Sequence, residues 1–394
     1  MSNIGRELPS EMETYIDKKS GLEVTQLTKS GTNIHFYFTE NSFTLGDEEI
    51  IFSHKDGRIT DYTSPANLFS MDLKTGKSVQ LTEFEKDFKS IYRITKSPDS
   101  KYFVFLGDGD LYCIDRDKNE TRLLYRAPVG YTLGATSISY DCRYVAVIAN
   151  DDITGRAVRS SNENYGGFKE SFYAHKNGYI VIANMDGSGA EIVFNDTHWL
   201  GHVQFAPDTN EFITYCHEGP WNYVQQRIWM LNTVTRRVKP CFIQEEDDCI
   251  GHEFWTRDGL VFFDNRGKGH DGTITSDRTQ AVALETEGTG VTPWVGFADK
   301  DCNLVRKFDL PFYCNHYHAN KDNTMLVADA VDDIVLIDIS TDTPTLKVLC
   351  EHNTSWRYQE SHGHPCWSWS NDKILFASDR DEEGYVQIYM VKMK

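Results

Sequence analysis

The sequence predicts an all-β chain, a seven-bladed β-propeller, on three observations. A strand–turn–strand pattern recurs seven times along 394 residues. A second, more apolar hairpin follows most copies. The last copy lacks one strand, and a matching segment stands near the N-terminus. Repeats of this period are the mark of blades, each of which buries its faces only against its neighbours.

The first hairpins are NSFTLGDEEIIF, RITKSPDSKYFVF, TSISYDCRYVAVI, VQFAPDTNEFITY, EFWTRDGLVFF, YHANKDNTMLVAD and CWSWSNDKILFAS. Their turns centre on Gly46, Asp99, Asp141, Asp208, Asp258, Asp322 and Ser370. Turn residues between two short β-prone runs make each a hairpin. Segments such as NLFSMDLKTGKSVQLT, DLYCIDRDKNETRLLY, YIVIANMDGSGAEIVF, RIWMLNTVTRRVKPCF and DIVLIDISTDTPTLKVLC supply third and fourth strands. In blade five, ALETEGTGVTPWVGF is a poor copy. The final blade, formed by about residues 355–394, ends at VQIYMVKMK, after a third strand. Residues 22–28, LEVTQLT, resemble SVQLT of blade one and are expected to complete it, so that residues 1–394 form one propeller domain. No stretch carries apolar residues at i, i+3, i+4 and i+7 over several turns, which argues against a helical fold.

Composition narrows the function. A net charge of −19 disfavours nonspecific nucleic-acid binding. An anionic ligand then needs a local positive island of His, Arg or metal. Nine cysteines without a C-x-x-C pair read as reduced, small buried side chains. The N-terminal MSNIGRELPSEMETYIDKKSG has no apolar run, and no segment approaches the ~20 apolar residues of a membrane span. A cytoplasmic location is expected.

The turn marks put the blades in register. Six residues before each mark stand Glu40, Arg93, Ala135, His202, His252, His316 and His364. Four consecutive blades thus carry His at one position, out of 13 in the chain. His362 and His364 form an H-x-H pair that a strand would point the same way. With His316 of the preceding blade they make a three-His site, for which His318 is an alternative contributor. Imidazoles suit several divalent transition metals. Mn²⁺ fits a shell of His and amide oxygen, and Zn²⁺ stays open. His217-Glu218-Gly219-Pro220-Trp221 is followed by Arg227, which near a ligand would clamp a carboxylate. Asn265–His270, NRGKGH, reads as a flexible basic loop. No G-x-S-x-G or P-loop motif is present.

HVQFAPD, HEGPWNYVQQRIW, IGHEFW and QESHGHP resemble the bacterial oligogalacturonate lyases, a likeness running from NSFTLGD to SDRDEEGYVQIY. The resemblance implies a cytoplasmic propeller of pectin degradation that cleaves short oligogalacturonides, digalacturonate above all, by β-elimination. It implies Mn²⁺ held by Gln359, His362, His364 and a His of the preceding blade, where the register picks His316. It also implies His252 as base and Arg227 as its catalytic partner. Arg93, His202 and His217 are expected to contact the oligosaccharide; neither nucleic acid nor membrane is an expected partner. The competing reading is a non-catalytic propeller scaffold with a structural ion.

Overall fold

The structure, a computed structural model, describes residues 2–156, 166–274 and 292–393. Seven antiparallel sheets follow one another along the chain. Within each, strands that are neighbours in sequence pair with each other, as hairpins require. The chain divides into two compact units: one holds blades one, six and seven, the other blades two to five.

The hairpin marks behave as turns for a local reason. In blades two, three and five the mark's carboxylate accepts a bond from a hydroxyl two residues earlier: Ser97 to Asp99 (2.6 Å), Ser139 to Asp141 (2.8 Å), Thr256 to Asp258 (2.5 Å). The next residue is left-handed in six of seven blades: Asp47, Ser100, Cys142, Gly259, Asn323 and Asn371. That is the geometry of a type I turn closing into a bulge.

Second strands are the most buried, as in Tyr144–Asp151 and Val261–Asn265. Covered on both faces, they read as continuous apolar runs rather than alternations. Fourth strands such as Glu120–Tyr125 keep one face in solvent. The core lies between successive sheets: Val104, Leu106, Val145, Val147 and Val181 join blades two and three, and Ile228, Met230, Val261 and Phe263 join four and five. Each fully buried Val, Leu or Phe contributes about 1.5–3 kcal/mol.

Blade seven is assembled as the sequence predicts. Glu23–Gln26 pairs antiparallel with Gln387–Lys392, Val24 opposite Val391. Three details differ. Glu13–Ile16 adds a fifth strand to that blade, and Glu7–Leu8 adds one to blade one. In blade one the paired first strand is Thr32–His35, and the expected Asn41–Leu45 segment makes only the bridge Phe43–Ile50. Its chain turns at Phe38–Glu40 instead of running straight. In the weak second hairpin of blade five, residues 283–291 lie outside the described residues, and Trp294–Ala298 is the third strand. Among the described residues no helix is long and apolar enough to cross a membrane.

Candidate functional site

The first cluster belongs to the unit of blades one, six and seven. His316, His362 and His364 are all buried, with one ring nitrogen of each within 4.8 Å of the others. The ring centroids of His316 and His364 are 4.2 Å apart. Asp329, fully buried at the end of the second strand of blade six, organises them. Its Oδ1 accepts the His316 backbone N–H (2.6 Å), and its Oδ2 accepts the His364 backbone N–H (3.1 Å). The same Oδ2 lies 2.9 Å from His316 Nδ1. A carboxylate on Nδ1 fixes the tautomer that leaves Nε2 able to ligate. Burial, then the neighbouring His316 and His362, hold the His364 imidazole well below its usual range. It is therefore neutral, as a metal ligand must be.

Gln359 opens a short 3-10 turn, Gln359–Ser361, and its Nε2 lies 3.4 Å from His364 Nε2. Nitrogen and oxygen of such an amide exchange by a ring-like flip of the group, which turns the oxygen to the imidazoles. Three neutral nitrogens and an amide oxygen suit a divalent transition metal. Tyr37, Phe38 and Trp356 wall the cluster, with Tyr37 4.8 Å from the His364 ring.

The route to this cluster differs from strand alternation. His362 ends the 3-10 turn, His364 has φ 43, and the strand begins only at Cys366. A left-handed residue, not the pleat, returns the His364 ring to the side of His362. His318 stays out of the cluster: its Nδ1 accepts the Trp367 backbone N–H at 3.0 Å.

The second cluster lies in blades four and five. Both first strands carry a bulge at the register position, between Gly201 and Gln204 and between Ile250 and Glu253. Bulges re-aim side chains, and here they carry His202 and His252, whose ring centroids are 6.2 Å apart. Arg227, 2 % exposed, backs the second bulge. Its Nε donates to the Gly251 carbonyl (3.1 Å) and its Nη1 to Glu218 Oε1 (3.1 Å). Burial pushes Glu218 upward, but Arg227 and His202 together bring it below the ordinary carboxylate range. Trp221 sits edge-on to His252 at 5.3 Å, with the Arg266 guanidinium 4.3 Å from its ring. Cation–π contact in a desolvated place holds the indole firmly.

Gly251 is required here by close approach. A Cβ on it would stand 1.8 Å from Trp221 Cη2, with two more indole carbons within 2.4 Å. Gly251→Ala is therefore expected to push Trp221 off His252, lowering stability by about 1–3 kcal/mol and kcat by about 100-fold. Denaturant unfolding and steady-state rates check both.

The other expected contacts are divided. Arg93 is exposed on the first strand of blade two, at φ 53. His217 faces elsewhere: its Nε2 is 3.1 Å from Asp196 Oδ2 and its ring stacks on His198 at 4.0 Å. Burial, with His198, lowers His217 to about 4. The segment Asn265–His270 is not a flexible basic loop. Arg266 and His270 are buried, and Arg266 lies between Trp221 and Tyr313. Two aromatic faces and the nearby Asp264 make that cation a core element.

Sequence reading passed over Glu218, Glu253 and Asp329. A signal existed for Asp329. Second strands carry Asp151, Asp264, Asp329 and Asp379 at or beside their ends, in VIAND, VFFDN, MLVAD and FASD. Three of these carboxylates, those of Asp151, Asp329 and Asp379, anchor a segment near the site or a loop. Asp151 takes the Lys176 N–H, and Asp379 the Ser355 and Gly384 N–H groups.

The family model described as oligogalacturonate lyase matches residues 2–394. An oligogalacturonide lyase of Pectobacterium atrosepticum is 26% identical, over 99% of this chain and 98% of its own. An oligogalacturonate lyase of Dickeya dadantii is 23% identical over the same shares. A solved oligogalacturonate lyase in complex with manganese superposes with TM-score 0.82 at 22% identity, covering 99% of this chain and 98% of that one. One from Vibrio parahaemolyticus gives 0.81 at 22% identity, with the same coverage. The fold is the seven-bladed β-propeller, its last blade closed by an N-terminal strand.

Proposed function

Because the chain belongs to the oligogalacturonate lyase family, we propose that it cleaves short oligogalacturonides, digalacturonate among them, by β-elimination. The observation that carries this reading is the bulge in blade five. It presents His252 beside Trp221 and ties the preceding carbonyl to a buried arginine. A base fixed this firmly removes a proton without first losing freedom.

The reaction takes the proton on C5, which is α to the uronate carboxylate, and breaks the bond from C4 to the glycosidic O4. His252 is the base; an ordinary imidazole, with a pKa of ~6.5, is largely neutral near pH 7. Arg227 keeps its proton under any ordinary condition, so it does not act as base. It holds the Gly251 carbonyl and adds fixed positive charge behind the bulge. Arg93 and His202 are the sugar contacts in this reading; His217, turned to Asp196, is not. His316, His362, His364 and Gln359 would hold a divalent transition metal, Mn²⁺ by likeness to the manganese-bound relative. Such an ion would supply Lewis-acid chemistry suited to a uronate carboxylate.

The test is direct. Digalacturonate is mixed with the purified protein and the unsaturated product is followed by its ultraviolet absorbance. Activity is expected to fall to a few per cent after chelation and to return on adding Mn²⁺. No product under either condition would rule out the lyase reading.

A further inference from the structure

The elimination needs a second proton transfer. When C4–O4 breaks, its electron pair leaves on O4 as an alkoxide, a poor leaving group unless it is protonated. In a galacturonide the C5 hydrogen and O4 lie on opposite faces of the ring. The imidazole that takes the one is therefore badly placed to serve the other.

His202 has the surroundings of a proton donor. Its Nδ1 faces Glu253 Oε1 at 3.2 Å, and its Nε2 faces Glu218 Oε2 at 3.6 Å. Glu253 has no exposed surface, and the described residues give its carboxylate no hydrogen bond. Its basic neighbours are the His202 ring and Arg227, whose Nε is 3.9 Å from Oε2. The ring is 21% exposed, so substrate reaches it. It also stands beside His252. Finally, His202 has φ 49, a left-handed conformation costly for a residue with a Cβ. The bulge thus holds the ring between the two carboxylates at a cost in backbone strain.

We propose that His202 is the general acid of this reaction, giving the proton on Nε2 to O4 as the C4–O4 bond breaks, while Glu253 orients Nδ1. The inference rests on the lyase reading above. The balance is complete. The C5 proton goes to His252, the C5–H electron pair becomes the C4–C5 double bond, and the C4–O4 pair leaves on O4 and takes the His202 proton. Solvent then returns both imidazoles to their starting forms. Glu218, Glu253, His252 and Cys216 are the titratable groups around His202, with Arg227 behind them.

The experiment compares two substrates on the Mn²⁺-loaded protein: digalacturonate, and a galacturonate carrying 4-nitrophenol at O4, whose departure needs no proton. His202→Gln is expected to be about 100-fold slower on digalacturonate and within a few-fold of wild type on the aryl ether. It also loses the alkaline fall of its kcat–pH profile. Glu253→Gln keeps that fall. His252→Ala is slow on both substrates. Equal losses on both substrates in His202→Gln, or full activity on digalacturonate, would overturn the proposal. Should the wild type reject the aryl ether, the alkaline limb decides, and its retention in His202→Gln overturns the proposal. A wild type that makes no unsaturated product at all would instead sink the lyase reading, and this inference with it.

Discussion

His252→Ala is expected to lower kcat on digalacturonate by about 10³-fold while leaving bound metal unchanged. A positioned general base contributes about 10²–10⁴-fold, and the rest of the site survives the truncation. Trp221 keeps its contact with Arg266, and Arg227 keeps its bond to the Gly251 carbonyl, which is backbone and unaffected by the change. The two clusters also draw on different blades, so truncation in blade five removes no atom from the His316–His362–His364 group. Metal content by elemental analysis, measured beside the rate, checks the division of labour. Parallel loss of metal and rate would show that His252 belongs to the metal shell and not to proton transfer.

Arg227→Ala is expected to be the most destabilising single change at the site. The guanidinium is 2% exposed and faces Glu218 at 3.1 Å and Glu253 at 3.9 Å. Removing it leaves the fully buried Glu253 and the largely buried Glu218 with the His202 ring as their remaining close basic neighbour. Breaking such a buried group costs about 3–5 kcal/mol, most of it the penalty of the uncompensated charge. The Gly251 carbonyl loses its donor in the same step, so the bulge that aims His252 loosens and kcat falls along with stability. Denaturant midpoints and kcat, measured together, test this. Arg227→Lys separates the parts: it restores charge but not the planar fork, so stability should recover more than rate. Full recovery of both would mean that charge alone matters and the bond to the Gly251 carbonyl does not.

Much of the architecture was legible because turns and burial write themselves into local sequence. Marks such as Asp99, Asp141 and Asp258 are residues whose carboxylates build the turn, and the fully buried second strands are the apolar runs after them. The terminal strand was legible because Leu22–Thr28 repeats a blade-one strand. What escaped depended on contacts distant in sequence. Glu13–Ile16 is a strand only because Glu23–Gln26 already stands beside it, and its exposed pattern carries no apolar alternation. The same holds at the site. His316 and the Gln359–His364 segment were found from their residue types, but the expected strand beneath His362 and His364 is a 3-10 turn and a left-handed residue. Arg266 looked like a solvated loop cation because sequence does not show the two aromatic rings that enclose it. Glu218 and Glu253 stood in plain view inside HEGPW and GHEFW. A carboxylate's importance there lies in which cation it meets in space, which spacing along the chain does not encode.

The pairing of Val24 with Val391 also sets an order of events during synthesis. The strand Glu23–Gln26 is made several blades before its partner Gln387–Lys392. Closing so long a loop in an otherwise unfolded chain costs about 5 kcal/mol of entropy, and contacts this remote are the ones that slow folding. Until Gln387–Lys392 arrives, both early strands, Glu13–Ile16 and Glu23–Gln26, form a hairpin with an open edge, the kind of surface that recruits other chains. The nascent protein thus carries its vulnerable edge while the intervening blades are made, and its dependence on chaperones should be concentrated in that interval.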